Sequence, residues 1–154
     1  MAKLPETVAI ELLALRDLWK QSVFVCPEVT VGWFGKERAD IMSIDIYQTV
    51  RCYEIKVTKS DFYSKANNSF VGHFNYYIMP MELYEKVQGD VPDHVGVMIP
   101  APGYRNLCSV KKAKKQELKA ELDVLKMSIL RSLARDAHKH YKRLRDESKE
   151  APND

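Results

Sequence analysis

The sequence is short of the residues that fix a fold by covalent or metal cross-links. Its 154 residues contain 3 cysteines, Cys26, Cys52 and Cys108, which are far apart and odd in number. This spacing excludes a Cys-x-x-Cys zinc site and a disulfide framework, and it predicts reduced thiols in a cytoplasmic protein. No apolar run approaches the roughly 18 residues that a spanning helix needs. The early acidic residues do not fit a secretory signal, so no membrane partner is expected.

Glycine and proline are also scarce, at 6 and 7 residues, and no segment is repetitive or of low complexity. Hydrophobic residues make up 45% of the chain and charged residues 29%. This mixture is typical of one globular domain with its own core, and it excludes a disordered chain.

The charge is uneven along the chain. Residues 111–154 hold 13 Lys and Arg against 8 Asp and Glu, a net charge of +5, whereas residues 1–110 have a net charge of −2. A basic C-terminal segment on a mildly acidic body fits contact with nucleic acid, and it fits equally a solvated basic helix. Both interpretations remain open at this point.

Apolar periodicity and turn residues predict an α/β fold with a mixed central sheet and flanking helices. The body is assigned to residues 1–110. An uninterrupted helical pattern predicts a long basic C-terminal helix over 111–148, followed by a disordered tail at 149–154. Within the body the pattern predicts helices at 5–20, 60–65 and 81–88, strands at 23–26, 29–34, 74–79 and 95–99, and a β-hairpin of 40–47 and 50–57.

The residue types that carry chemistry lie on the hairpin. If its turn centres near Tyr47, Asp40 faces Glu54 across the antiparallel pair. Lys56 is two residues from Glu54 and shares its face. Two carboxylates this close repel each other unless a cation lies between them. Hard oxygen ligands on a rigid hairpin suit Mg²⁺ or Mn²⁺, which would lower the pKa of a bound water beside a phosphate.

Two alternatives compete with this metal site. Asp40, Glu54 and Lys56 could form a cross-strand salt bridge of small energetic value. Asp45 is a rival to Asp40, although Asp40 begins the strand. Two further Glu-x-Lys triplets, at 117–119 and 147–149, fall in the helical pattern, where residues i and i+2 point apart.

The arrangement resembles the PD-(D/E)xK nuclease superfamily, which has a restriction-endonuclease-like core. The residues at 38–40 (RAD), 53–57 (YEIKV) and 60–62 (SDF) are similar to those of its MmcB-like DNA-repair branch and of related phage nucleases. The resemblance covers roughly residues 5–100, although Ala39 stands where the motif's proline would precede Asp40. It implies a divalent-metal-dependent deoxyribonuclease of DNA repair, recombination or phage DNA processing, with Asp40, Glu54 and Lys56 as catalytic residues.

Glu11 is the candidate third acid of the site. It lies on the first predicted helix between Val8 and Leu15, on the apolar side, where an acid without a partner is costly. In the superfamily an acid on this helix often completes the metal site, so the resemblance implies a metal role for Glu11. An ion pair at the edge of the apolar face, with Arg16 for example, is the alternative.

Several lysines are candidate contacts to the DNA backbone. They flank the hairpin site or begin the basic segment: Lys59, Lys65, Lys111, Lys112, Lys114 and Lys115. The C-terminal helix also has an apolar seam of Leu118, Leu122, Leu125, Ile129 and Leu133, which either packs on the body or forms a homodimer. Two other functions remain open: a non-catalytic nucleic-acid-binding protein that kept the nuclease fold, and a helical interaction module.

Overall fold

The computed structural model describes residues 2–33, 35, 37–64, 68–150 and 152, and a six-stranded sheet organises them. The helices are α1 (Pro5–Leu18), α2 (Lys59–Phe62), α3 (Met81–Val87) and α4 (Leu122–Glu150). The strands are β1 (Val23–Thr30), β2 (Arg38–Asp45), β3 (Val50–Ile55), β4 (Phe74–Ile78), β5 (Gly96–Pro100) and β6 (Leu107–Lys111). Two 3₁₀ turns lie at Gln88–Asp90 and Pro102–Tyr104.

The strands lie in the sheet in the same order as in the chain. The first three pair antiparallel, β3, β4 and β5 pair parallel, and β6 pairs antiparallel with β5. The predicted α/β class with a mixed sheet is therefore confirmed. The strand β6 was not predicted, because its alternation of apolar and polar residues is short and runs directly into a lysine-rich segment.

Helices cover both faces of the sheet. On one face, Ile10 and Ala14 of α1 pack on Ile41, Tyr53 and Ile55 of the central hairpin. On the other face, a cluster from β1, β2 and β3 packs against α4. Its members include Cys26, Met42, Ile44, Val50, Cys52, Leu125 and Ile129. Alternation along β3 decides which side chains meet which helix, since successive residues point to opposite faces.

The buried side of α1 differs from the predicted one. Ile10, Leu13 and Ala14 are buried, whereas Val8 and Leu12 are 39% and 63% exposed. Residues 10, 13 and 14 follow the i, i+3, i+4 rule as well as the predicted apolar side, which runs through Val8, Leu12 and Leu15. Periodicity alone therefore could not decide which side of α1 is buried. Glu11 consequently lies at the border of the buried side.

The C-terminal helix is shorter at its start than predicted. The assignment to residues 111–148 is wrong, because β6 ends at Lys111, the segment 112–121 is not helical, and α4 begins at Leu122. Backbone N–H groups of this non-helical segment bind the body of the protein. The Lys114 N–H donates to the His94 carbonyl, and the Lys119 N–H donates to the Val71 carbonyl. These tertiary contacts override the high helix propensity of the segment. At its other end α4 runs through Glu150, so residues 149 and 150, predicted as part of the tail, are helical.

The predicted apolar seam divides between the body and solvent. Leu125 and Ile129 are buried against the sheet, and Leu118 and Leu122 pack partly against the same cluster, so this seam is largely intramolecular. Leu133 remains 36% exposed. Although α4 has 29 residues, its mean hydropathy is low, and no helix within the described ranges is both long and apolar enough to cross a bilayer.

Candidate active site

The candidate site is built on the hairpin of β2 and β3. Ile41 pairs with Tyr53 and Met42 with Cys52, and the same register places Asp40 opposite Glu54. The predicted pairing register is therefore confirmed. Asp45 fixes it from the turn, because its carboxylate accepts hydrogen bonds from the backbone N–H groups of Tyr47 and Thr49 at 2.9 and 3.0 Å. Asp45, the rival candidate, thus has a structural role and lies away from Glu54.

Glu54 is an acid inside the protein. It is 5% exposed, and its Oε1 accepts a hydrogen bond from the backbone N–H of Ser69 at 3.0 Å. The loop that carries Ser69 is fixed just after it, where the Asn75 side chain binds both the N–H and the carbonyl of Gly72. A carboxylate with one neutral donor is poorly compensated for the loss of water, so this position carries an electrostatic cost.

The pKa of Glu54 records that cost. Burial raises the pKa of the Glu54 carboxyl to about 9, and the charge of Asp40 and a shared hydrogen bond with it act in the same direction. The Ser69 N–H and the Lys56 ammonium oppose the rise. Glu54 therefore resists ionisation beside Asp40, which is the arrangement expected of an acid that needs a nearby cation to carry its charge.

Asp40 lies in β2 beside a distorted residue of β1. The pairing of β1 with β2 passes from Pro27–Ile41 to Val29–Ala39 and omits Glu28 and Asp40. Glu28 has a φ of +53°, in the left-handed region that a non-glycine residue rarely adopts. Asp40 turns toward β3, where its Oδ2 accepts a hydrogen bond from the backbone N–H of Ile55 at 2.8 Å. The backbone of β1 is thus distorted next to Asp40, although the pairing register is the same on both sides of Glu28.

Lys56 follows β3 and supplies a buried positive charge. It is 6% exposed, and its backbone N–H donates to the Ile78 carbonyl at 3.0 Å, which extends the β3–β4 pairing. Its Nζ lies 3.7 Å from Oδ1 of Asp61 on α2. Thr58 caps α2 by accepting the Asp61 N–H at 3.1 Å, so the cap orients the acid that faces the lysine.

The structure does not bring Glu11 to this pair. The Glu11 carboxylate contacts Lys3 Nζ at 2.7 Å, and the same ammonium lies 2.9 Å from Glu28. Glu28 also pairs with Arg38 at 2.7 Å. The Lys3 ammonium, which has the larger effect, and the Arg38 guanidinium hold the pKa of the Glu28 carboxyl below its usual value. Throughout the described part of the chain, no group of three His, Cys, Asp or Glu residues is placed to hold a metal ion.

The predicted DNA-contacting lysines are scattered. Lys59 lines a cleft of about 320 Å³ with Glu6, Glu82 and Lys86. Lys111 is a structural residue, since its Nζ donates to the carbonyls of Pro92 and Val95. Lys65 lies outside the described residues.

The remaining lysines lie in the non-helical segment after β6. Lys114 forms an ion pair with Asp93 at 2.5 Å, whereas Lys112 and Lys115 are exposed. Lys115 is also near His73, whose pKa is lowered first by burial and then by that positive charge. Lys112 and Lys115 are therefore the members of the predicted set that are best placed to meet a ligand from solvent.

The sequence analysis missed three residues of the site: Ser69 and Ile55, which act through backbone N–H groups, and Thr58, which caps α2. A backbone donor leaves no residue signature, so Ser69 and Ile55 gave no signal. Thr58 did have one, because Thr-x-x-Asp before a short helix is an N-terminal pattern. Next to Glu54, Tyr77 and Asn68 line a cleft of about 320 Å³ that also includes Lys119.

A divalent cation fits the Asp40 and Glu54 pair on two observations. The paired carboxyls concentrate negative charge that only a proton or a cation relieves. The buried hydroxyl of Ser69, whose backbone N–H bonds Glu54, finds no hydrogen-bond partner among the described residues, so a polar group is free to meet a ligand there. Mg²⁺ commonly binds through one or two carboxylates and keeps several waters, so two acids suffice for it.

The raised pKa of Glu54 predicts an unusual pH dependence of the metal-free protein. Its pKa is near 4.5 in the unfolded chain and about 9 in the folded one, so the folded state holds an extra proton between these values. The free energy of unfolding should therefore fall as the pH rises from about 5 to about 9. Urea unfolding in EDTA at several pH values measures this free energy of unfolding. In Glu54→Gln the slope over this range should flatten, and a wild-type slope in that variant would contradict the assignment.

Comparison with known proteins gives information about the overall fold only. No family model and no curated protein matches the chain. One solved structure, a protein of unknown function, SPO1766, from Silicibacter pomeroyi, is similar with a TM-score of 0.66 and 18% identity over 100% of both chains. The overall architecture, including the C-terminal helix, therefore occurs in another protein, and at this identity the likeness carries no statement about activity.

Proposed function

We propose that the chain is a divalent-metal-dependent deoxyribonuclease that hydrolyses phosphodiester bonds of DNA. The observation that carries the proposal is the buried, electrostatically costly Glu54 beside the half-buried Asp40, with the buried Lys56 nearby. Glu54 is 5% exposed, and perturbed acids of this kind cluster at functional sites. The resemblance of the RAD and YEIKV segments to PD-(D/E)xK nucleases supports the same reaction.

The proposal gives each residue a role. Asp40 and Glu54 hold Mg²⁺ or Mn²⁺, which when bound lowers the pKa of a water and shields the scissile phosphate. The Ile55 and Ser69 N–H groups fix the two carboxylates, so the site is preorganised. Lys56 places a positive charge where negative charge grows on the phosphate. Glu11 acts at most through water, because Lys3 holds its carboxylate.

The direct test is cleavage of DNA by the purified protein. We expect products with Mg²⁺ or Mn²⁺ and none in EDTA, with single-stranded, duplex and branched substrates assayed in parallel. Glu11→Gln should weaken cleavage less than Asp40→Asn does. Asp45→Asn is the matched control, because it alters a turn acid of the same hairpin and should leave cleavage near the wild-type rate. Equal activity in wild type and Asp40→Asn would overturn the proposal.

The same assays separate the alternative function. A non-catalytic nucleic-acid-binding protein would bind DNA without cleaving it under any metal condition. The exposed Lys112 and Lys115 would serve either function. Binding is therefore measured in Ca²⁺ or EDTA, and cleavage in Mg²⁺ or Mn²⁺, on the same substrate. DNA repair, recombination or phage DNA processing in the cytoplasm would be the setting of the nuclease.

The basic segment predicts a specific salt dependence of DNA binding. Each phosphate neutralised contributes about 0.9 to the slope of log affinity against log salt concentration on duplex DNA. The double variant Lys112→Ala/Lys115→Ala should therefore weaken binding and reduce the slope by about 2 if each lysine meets one phosphate. Fluorescence anisotropy over a salt series measures it. Lys139→Ala/Lys142→Ala, on the distal part of α4, is the control. An unchanged slope would show that Lys112 and Lys115 are only solvated.

A further inference from the structure

A second apolar seam runs along α4 on its exposed side. It consists of residues alternately three and four apart: Met127, Leu130, Ala134, Ala137, Tyr141 and Leu144. All six are exposed, and the large ones, Met127, Leu130, Tyr141 and Leu144, are 45% to 68% exposed. Spacing of three and four over nearly three heptads is the pattern of a coiled-coil seam. This seam is distinct from the one through Leu125 and Ile129 that packs on the sheet.

The exposed seam faces directly away from the body. Successive helix residues are about 100° apart, so positions 127 to 144 of the seam centre roughly opposite the buried Leu125, Ser128, Ile129 and Ser132. A partner helix laid on the seam therefore approaches the body that carries it at the Met127 end, where Trp33 lies, and runs away from the body beyond that end. The part of α4 beyond residue 136 has every side chain exposed, so it can extend over a neighbouring molecule.

The seam is complementary to itself when the second helix runs antiparallel. In one register Met127 meets Leu144 of the second copy, Leu130 meets Tyr141, and Ala134 meets Ala137. Twofold symmetry repeats each layer, so large residues close both ends and small residues lie at the centre, where the helices approach closely. A twofold interface requires this reciprocity, in which residue i meets residue j and j meets i.

Charge favours the antiparallel arrangement over the parallel one. Antiparallel pairing places Lys126, which bonds Gln48 of its own chain at 3.1 Å, beside Glu147 of the second copy, twice by symmetry. Parallel pairing would offer Lys126 no acid and would place His140 beside Arg145. Arg131 is directed to its own body, because its guanidinium stacks 4.9 Å from the Trp33 ring and donates to the Thr30 carbonyl. The Arg131 side chain therefore does not extend beside the exposed seam.

An apolar cleft lies where the end of the second helix would arrive. Its cavity of about 210 Å³ is lined by Trp33, Val124 and Met127 among others, and Trp33 is 72% exposed. In the antiparallel register the segment around Leu144 of the second copy runs along this end of the seam. We infer that the chain forms a homodimer through an antiparallel coiled coil of its two α4 helices, with the two bodies on the outer sides.

The first test is the mass of the full-length protein in solution. We expect sedimentation equilibrium to give twice the monomer mass of 17.8 kDa. Leu130→Glu/Tyr141→Glu should convert it to the monomer with an unchanged circular-dichroism spectrum, because both residues are exposed within one chain. Lys139→Glu/Lys142→Glu, off the seam on the same helix, should remain dimeric. A monomeric wild type over the micromolar range, or a dimeric seam variant, would overturn the inference.

The second test fixes the orientation by disulfide trapping. In a Cys108→Ser background, which removes the exposed native thiol, the double variant Met127→Cys/Leu144→Cys should form a cross-linked dimer on oxidation. Met127→Cys alone should not, because antiparallel copies of residue 127 lie about 25 Å apart along the helix axis. Efficient cross-linking of the single variant would indicate parallel helices and overturn the proposed arrangement. The test does not depend on nuclease activity, so the two proposals can fail separately.

Discussion

Glu54→Gln should abolish DNA cleavage while making the metal-free protein more stable. The amide keeps an oxygen to accept the Ser69 N–H and adds an N–H that can donate to Asp40, so the geometry is conserved. The buried one of two adjacent charges disappears, which removes the desolvation and repulsion that raise the pKa of the Glu54 carboxyl. Loss of a direct ligand should cost at least the 10–100-fold that loss of an outer partner does, roughly 100-fold or more.

Two melting-temperature measurements test whether Glu54→Gln loses cleavage because it loses a metal ligand. The wild-type melting temperature should rise on addition of Mn²⁺, because a ligand that binds only the folded state stabilises it. Glu54→Gln should lose that rise and melt higher than wild type in EDTA at pH 8. Glu117→Gln is the matched control, since Glu117 heads another Glu-x-Lys triplet and is exposed. A variant that cleaves at the wild-type rate, or one that is destabilised in EDTA, contradicts the assigned site.

The hairpin register could be predicted from the sequence because local physics sets it. A short turn joins two β-rich runs, and alternation leaves one register in which the apolar residues share faces. Counting across the turn then placed Asp40 opposite Glu54. The helix positions in the body and the antiparallel start of the sheet followed from the same periodicities, which act within a few residues.

Other features depend on contacts between distant parts of the chain, and the sequence could not reveal them. The segment 112–121 has the composition of a helix, but its N–H groups bind carbonyls at His73, His94 and Val71. Glu11 was drawn toward the metal site by the resemblance, whereas Lys3 binds it in the structure. The Ser69 N–H that holds Glu54 comes from a loop 15 residues away and is a backbone group. None of these contacts has a periodicity or a motif.

Lys56→Met should separate cleavage from metal binding. Methionine is close to the aliphatic part of lysine in length but carries no charge, so it removes the ammonium and keeps the packing at a position that is 6% exposed. Cleavage should fall by about 100-fold or more, since a preorganised charge at the reacting phosphate is worth that much. Binding of Mn²⁺ should persist, because removing the ammonium ends its repulsion of a cation at the nearby carboxylates, which offsets the higher pKa that Glu54 has without it.

Lys56→Met should remain folded, so a loss of cleavage can be assigned to the lost ammonium. The partner of the ammonium, Asp61, has a side chain that is 46% exposed and can be solvated when the lysine is lost. Removing one partner of a buried ion pair is costly when the other charge stays buried, whereas here Asp61 reaches water and the buried ammonium loses its own desolvation cost. The melting temperature of Lys56→Met should therefore match or exceed that of wild type, and should still rise with Mn²⁺. Lys149→Met, in an exposed Glu-x-Lys triplet of α4, is the control. Wild-type cleavage by Lys56→Met would remove the lysine from the mechanism, and a lost Mn²⁺ response would mean that it only maintains the fold of the site.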